Sequence, residues 1–220
     1  MFEVKDFMVK DVITTEKDAK ISEVLDLMRY HKIHRIPVVD ENDKLVGLIT
    51  EGMIAGQNSP ATSLSIYELN YLLSKTAVKT VMVRKVVSIH ENDLMEEAAE
   101  KLLKHDIGCL PVIDEEGKVV GILTQNDIFK AFLDVLGWNK ETSRLIISTP
   151  EGVGRLQKMT SIFAQANVNI ANLGVYKHDE DNVAYMVVRV DGPNDLEPVI
   201  DMLEKEDFHV LEYLRKEPKE

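Results

Sequence analysis

Thr124 and Asp127 stand three residues apart where an apolar strand gives way to a helix, at the end of the run Gly121-Ile-Leu-Thr124-Gln-Asn-Asp127. An exposed helix N-terminus presents N–H groups and a hydroxyl to a phosphate, and a carboxylate presents two oxygens to vicinal hydroxyls. Together they could hold both polar ends of a ribose phosphate. The same atoms also spell a capping box, Thr-x-x-Asp, with Thr124 as N-cap and Asp127 closing back onto its backbone N–H. Both readings stand on spacing alone.

The elements that position this pair occur twice. At an offset of 74 residues, Met8–Ile54 aligns without a gap to Met82–Ile128, and 15 of the 47 pairs are identical. The identities fall on turn and strand landmarks such as Pro37-Val38 with Pro111-Val112, Asp40-Glu41 with Asp114-Glu115, and Thr50 with Thr124, which marks a structural repeat. In each copy a short apolar strand (Val12-Ile13; Val86-Val87) leads to a helix with a core-facing stripe at Ile21, Val24, Leu25 and Met28, or at Met95, Ala98, Ala99 and Leu102. A strand pair follows, 36–39 with 45–49 and 110–113 with 119–123, in which the proline puts the first strand at an edge or near its start. A second helix closes each copy, clearest at 128–136, with Ile128, Ala131, Phe132, Val135 and Leu136 on one face and Gly137 as its stop. Each copy is therefore βαββα. Neither buries much alone, so the two should pack about a pseudo-twofold axis.

Between the copies, 56–63 reads as a breaker-rich loop and 64–73 as a packing or lid helix. After the linker the pattern changes to a strand at 145–147, a helix at 156–166 stopped by Asn167, a hairpin of 168–176 and 183–190 across the turn 177–182, a helix at 196–205 and a strand at 210–214. That order, βαββαβ, is ferredoxin-like. The fold class is α+β (α/β), divided as 1–55, 56–79, 80–137, 138–143, 144–214 and a solvated tail 215–220.

A formal charge of −12 argues against a sequence-independent grip on nucleic acid, which needs clustered Lys and Arg. Cys109 is the only cysteine, so no intrachain disulfide forms and a reducing compartment is expected; its apolar flanks suit a buried, inert thiol. The N-terminal residues lack a signal-peptide pattern and no apolar run is long enough to span a bilayer, so the expectation is a cytoplasmic protein without membrane contact. No nucleophile elbow, phosphate-binding Gly-x-x-x-x-Gly-Lys loop, His-Glu-x-x-His or Cys-x-x-Cys is present, so no enzyme and no catalytic cofactor are expected. His31, His34, His90, His105, His178 and His209 are scattered, which leaves convergence in space as the alternative for an unrecognised enzyme site. His31 and His34 are spaced i, i+3, yet no Cys or carboxylate cluster completes a zinc set, so no metal is expected.

The duplication, the Gly-x-x-Thr-x-x-Asp run and the strand Ile107-x-x-Leu110-Pro-Val-Ile-Asp114 resemble the CBS domain family as a tandem pair, a Bateman module, over about 8–137. The resemblance implies an adenosine ligand, such as AMP, ADP, ATP, S-adenosylmethionine or cyclic di-AMP. Thr124 and Asp127 would then hold phosphate and ribose, with Val86, Val87, Ile107, Gly108, Cys109, Leu110 and Pro111 around the base. The first copy departs from the pattern: in Gly47-Leu-Ile-Thr50-Glu-Gly-Met53 a thioether replaces the ribose carboxylate. Hydrogen bonds to a charged group are worth about 1.5–3 kcal/mol each, so this half-site should be weaker by about an order of magnitude or more. One strong site per chain is expected, with Thr50 and Met53 marking a degenerate second one. His34 and Arg35, on the strand position equivalent to Gly108 and Cys109, are the nearest candidate cations for an anionic ligand; a solvated surface pair is the other reading.

The loop Thr149-Pro-Glu-Gly-Val-Gly154-Arg-Leu156 and the strand Asn167-Val-Asn169-Ile170 resemble the ACT domain family over about 144–214. That resemblance nominates Gly154, Leu156, Asn169 and Ile170 for an amino-acid site or a dimer interface. Glu151-Gly-Val-Gly154 replaces the family's frequent Asp-x-Pro-Gly, which makes dimerisation the safer role. A CBS pair followed by an ACT domain is similar to the acetoin-utilisation-type CBS–ACT proteins of bacteria. The resemblance implies a homodimeric regulator that senses a nucleotide and acts on an unknown partner; a dimerisation module that binds no ligand is the alternative.

Overall fold

A computed structural model describes residues 2–57, 66–138, 141–177, 182–191 and 195–215. The expected loop at 58–63, the start of the helix expected from 64, residues 139–140 of the linker, the hairpin turn at 178–181 with His178, and the tail 216–220 lie outside the described residues. The chain divides into two compact units, 1–129 and 130–220.

The first unit runs α1 (Val4–Phe7), β1 (Thr15–Glu16), α2 (Ile21–His31), β2 (Arg35–Val39), β3 (Leu45–Thr50), α3 (Glu51–Gln57), α4 (Ile66–Lys75), a 3-10 turn (Val78–Thr80), β4 (Ile89–His90), α5 (Met95–His105), β5 (Cys109–Ile113), β6 (Val119–Thr124) and the first turns of α6 (Gln125–Val135). Each copy holds a three-stranded sheet in which a short parallel strand, then β2 or β5, then β3 or β6 lie side by side. The stripes Ile21/Val24/Met28 and Met95/Ala98/Leu102 are buried, and Leu25 and Ala99 are partly so. Lys32 (φ 54°) and Asp106 (φ 49°) end α2 and α5 in the left-handed conformation. The next residue donates back to the helix in each case, Ile33 N to Met28 O at 2.9 Å and Ile107 N to Leu102 O at 3.1 Å.

Three expectations are corrected. The first strand of each copy is Thr15–Glu16 or Ile89–His90, while Val12-Ile13 and Val86-Val87 lie in irregular, half-buried chain ahead of it. Their apolar character serves a wall rather than a ladder. Pro37 and Pro111 sit in the middle strands; the parallel neighbour pairs only from Val38 and Val112 onward, so the missing N–H is not needed. On α6, Ile128 and Ala131 are buried whereas Phe132, Val135 and Leu136 are exposed, so the expected single core face splits.

The pseudo-twofold is written in backbone hydrogen bonds. Leu48 and Val83 exchange both bonds at 2.9 Å, and their equivalents Ile122 and Val9 exchange both at 3.0 Å. Leu45 N donates to Gly117 O and Val119 N to Asp43 O, each at 3.1 Å, and Lys44 bridges its own equivalent, Lys118. The segments preceding each copy are exchanged. Val4 N and Lys5 N donate to Asp93 O and Glu91 O of the second copy, and Val78 N and Lys79 N to Ala19 O and Lys17 O of the first. Val4 and Val78 are fully buried. Both glycines on the axis-facing strands accommodate this, since a Cβ at Gly47 would overlap the Met82 thioether and one at Gly121 that of Met8.

The second unit carries β7 (Ser143–Pro150), α7 (Arg155–Gln165), β8 (Asn169–Lys177), β9 (Val183–Asp191), α8 (Glu197–Glu204) and β10 (His209–Leu214), with sheet order β10-β7-β9-β8, all antiparallel. This is the expected βαββαβ arrangement. Leu145, Ile147, Met186, Val188 and Val190 on the sheet pack against Met159, Phe163, Val199 and Leu203 on the helices. Asn167 (φ 55°) and Gly137 (φ 65°) are the left-handed stops expected at their positions.

The exchange predicts where damage travels. Deleting residues 1–9 should lower hydrogen-exchange protection in α5 and β6 of the second copy and leave α2 and β3 protected. Val78→Ala should cost about 1–3 kcal/mol by denaturant unfolding.

Candidate functional site

Strand β6 ends at Thr124, and the helix that follows starts at Gln125. Asp127, only 7% exposed, turns back so that Oδ2 accepts from the Thr124 backbone N–H at 2.9 Å and from its hydroxyl at 2.7 Å. The return half of the capping box is therefore formed, with one carboxylate oxygen holding two donors. In the first copy the hydroxyl is reversed: Thr50 Oγ1 accepts from Met53 N at 3.2 Å, because Met53 has no carboxylate to receive it. One substitution converts a hydroxyl donor bound to an anion into an ordinary N-cap acceptor.

Thr124, Gln125 and Asn126 open onto a cleft of about 370 Å³ within the first unit. Its other walls are Val12, Ile13, Ile33, His34 and Arg35 from the first copy and Gly108 from the second. Arg35 crosses between copies and donates from Nη1 to Gly108 O at 3.1 Å. A Cβ at position 108 would overlap the guanidinium, so glycine is what lets a cation lie on this wall. His34 is exposed and shares a 2.7 Å hydrogen bond with Glu51, while Gln125, the equivalent of Glu51, donates from Nε2 to Ile107 O at 3.4 Å. The cleft thus combines apolar walls, a guanidinium, a hydroxyl and a helix start, with a carboxylate directly beneath. Such a set can grip an anionic, polyhydroxylated ligand that has an apolar body.

The structure brings Thr124, Gly108, His34 and Arg35 together around this cleft, with Asp127 under Thr124. It does not bring Val86 and Val87 there. The two-fold that exchanges the copies carries Val12-Ile13, which do line it, onto Val86-Val87. Leu110 and Pro111 are buried in β5 and do not line the cleft. Cys109 is buried as well, and burial pushes its thiol up despite the opposing Arg35 charge. Val12, Ile13 and Ile33 were missed by sequence reasoning, which drew the apolar walls from the second copy and only His34 and Arg35 from the first. The signal was present in the identity of Val4-Lys5 with Val78-Lys79, which continues the repeat into the exchanged segments.

In the second unit, Gly154 (φ 86°) caps α7, Leu156 is 44% exposed on that helix, Asn169 donates to Asp191 at 3.0 Å, and Ile170 is half-buried against the core. No cavity among the described residues gathers the four. Arg155, which sequence reasoning passed over, fixes this loop by donating to Thr149 Oγ1 and to Asp207 O at 2.7 Å while lying 4.1 Å over the Phe208 ring. Among the described residues no group of three or more His, Cys, Asp or Glu is placed to hold a metal ion, and no helix is long and apolar enough to cross a membrane.

A CBS domain model matches residues 4–56 and 78–134, and the chain belongs to the CBS domain family as a tandem pair. An AHAS small subunit-like ACT domain model matches residues 145–208. The chain is 33% identical over 129 residues to the L-aspartate semialdehyde sulfurtransferase of Methanocaldococcus jannaschii, a match covering 59% of this chain but only 23% of that enzyme. The CBS domain pair of protein MJ0100, solved with 5′-methylthioadenosine and S-adenosyl-L-methionine, superposes with a TM-score of 0.51 at 33% identity, covering 63% of this chain and 98% of that one. AcuB of Vibrio cholerae, assigned as an acetoin utilization protein, gives a TM-score of 0.51 at 29% identity over 62% of this chain and 94% of its own.

Without ligand, Asp127→Ala should cost about 0.5–2 kcal/mol through loss of the cap. Met53→Asp, which rebuilds the box in the first copy, should stabilise by about 0.3–1.5 kcal/mol. Both are read by denaturant unfolding.

Proposed function

We propose that the chain is a ligand-sensing regulator that binds one adenosine nucleotide of the AMP, ADP or ATP type in the Asp127 cleft, without catalysing a reaction on it. The observation that carries this reading is the meeting of Thr124 and Arg35 on one apolar-walled cleft, with the Asp127 carboxylate bound to the Thr124 hydroxyl. Arg35 and the helix start would take phosphate, Asp127 the ribose hydroxyls, and Val12, Ile13 and Ile33 the base. The adenosine ligands of the MJ0100 pair support the same ligand class, with S-adenosylmethionine and cyclic di-AMP as its other members. The opposite cleft, with Met53 in place of the carboxylate, is the weaker one.

The proposal extends to a homodimer in a reducing compartment such as the cytoplasm, with the ACT domain serving dimerisation and, at Gly154, Leu156, Asn169 and Ile170, an amino acid. Exposed Tyr67, Tyr71 and Leu72 on α4 and Phe129 on α6 support association. Output then requires that ligand binding favour one arrangement of the paired domains, passed to a regulated protein.

A second reading, a dimerisation module without ligand, is favoured by the two hydrogen bonds that already tie the Asp127 carboxylate to Thr124. Thermal shift separates the two. AMP at about a hundred times its dissociation constant should add about 2.7 kcal/mol of stability, and Asp127→Ala should lose that gain. No response to any adenosine ligand would leave the cap as the only role. Light scattering at micromolar concentration should give a dimer.

A further inference from the structure

The sheet of the second unit has a face that its helices do not cover. Met186, Val188 and Val190 alternate toward α7 and α8, so Val187 and Arg189 point the other way. On that side lies a cavity of about 620 Å³ bounded by Leu136, Trp138, Gly174, Val187, Arg189 and Leu214. Arg189 is only 6% exposed, and its guanidinium sits 5.4 Å over the Trp138 ring. Among the described residues it has no carboxylate and no hydrogen-bond acceptor. The neighbouring Arg144 is already paired, at 2.9 Å, with Glu212. Arginine stays protonated under physiological conditions, although burial and the Arg144 charge both work against it here. A cation–π contact offsets only part of the cost of desolvating such a charge. A largely buried cation that faces an apolar cavity and has no acceptor among the described residues suits a site completed by an anion from outside.

We infer that the second unit carries its own binding site, for an apolar carboxylate whose anionic end pairs with Arg189 and whose body fills the cavity against Trp138. This site is separate from the Asp127 cleft and from Gly154, Leu156, Asn169 and Ile170. Gly174 borders open space, with nothing within 4 Å of where its Cβ would stand, so a side chain added there enters the cavity instead of the core.

Trp138 is the only tryptophan in the chain, so its fluorescence reads this site alone. The full chain would be titrated with 3-phenylpropanoate and, in parallel, with the neutral 3-phenylpropanamide. A saturable change with the carboxylate and none with the amide at equal concentration is expected. Arg189→Met should weaken binding about tenfold to a hundredfold, and Gly174→Leu should block it while leaving the unfolding transition in place. Equal responses to carboxylate and amide would overturn the inference, as would undiminished binding by Gly174→Leu. A Trp138 signal that follows protein concentration but not carboxylate would also overturn it, assigning this face to a second copy. Should Arg189→Met fail to fold, the carboxylate–amide comparison and Gly174→Leu decide.

Discussion

The reciprocal hydrogen bonding of Leu48 with Val83 and of Ile122 with Val9 is the constraint from which the first unit follows. Each copy lends the segment ahead of it to the other, so neither sheet is complete without its counterpart. Copies of this size bury too little surface to stand alone. Exchange gives one shared core and fixes the copies about an axis passing between Lys44 and Lys118. It also places the cleft between the copies, with its hydroxyl and helix start from the second and Val12, Ile13 and Ile33 from the first.

Within that symmetric frame the chemistry is unequal. Asp127 holds the Thr124 hydroxyl as a donor, whereas Met53 leaves the Thr50 hydroxyl to cap its helix as an acceptor. The difference continues along the walls, where Arg35 lies on Gly108. In the proposed reading the cap serves the ligand site, because a Thr124 hydroxyl and helix start already held by Asp127 are ordered before a ligand arrives, as preorganised recognition requires.

Much of the fold was legible in the sequence because periodicity and turn chemistry agreed. The stripes from Ile21 and Met95, the turns after Asp40 and Asp114, and the Asn167 stop all report local forces that act alike in any context. The polar groups of the cleft, His34 and Arg35 included, were legible, but its apolar wall was not. Thr124 and Asp127 follow from a local motif, but Val12, Ile13 and Ile33 reach them through pairing between distant segments. Val86 and Val87 do not line this cleft, for the same reason. Short strands such as Thr15–Glu16 carry no period of their own and exist because β2 offers them a partner. Arg189 was invisible for another reason, since a charged residue in an alternating strand reads as solvent-facing until the chain after α6 is seen to cover it.

The central claim is that one substitution, methionine for aspartate between equivalent positions 53 and 127, makes a symmetric frame into a single-site sensor. Isothermal calorimetry with AMP measures this directly through its stoichiometry. One strong site per chain is predicted, with any second site weaker by about an order of magnitude or more. Two sites of equal affinity would contradict it.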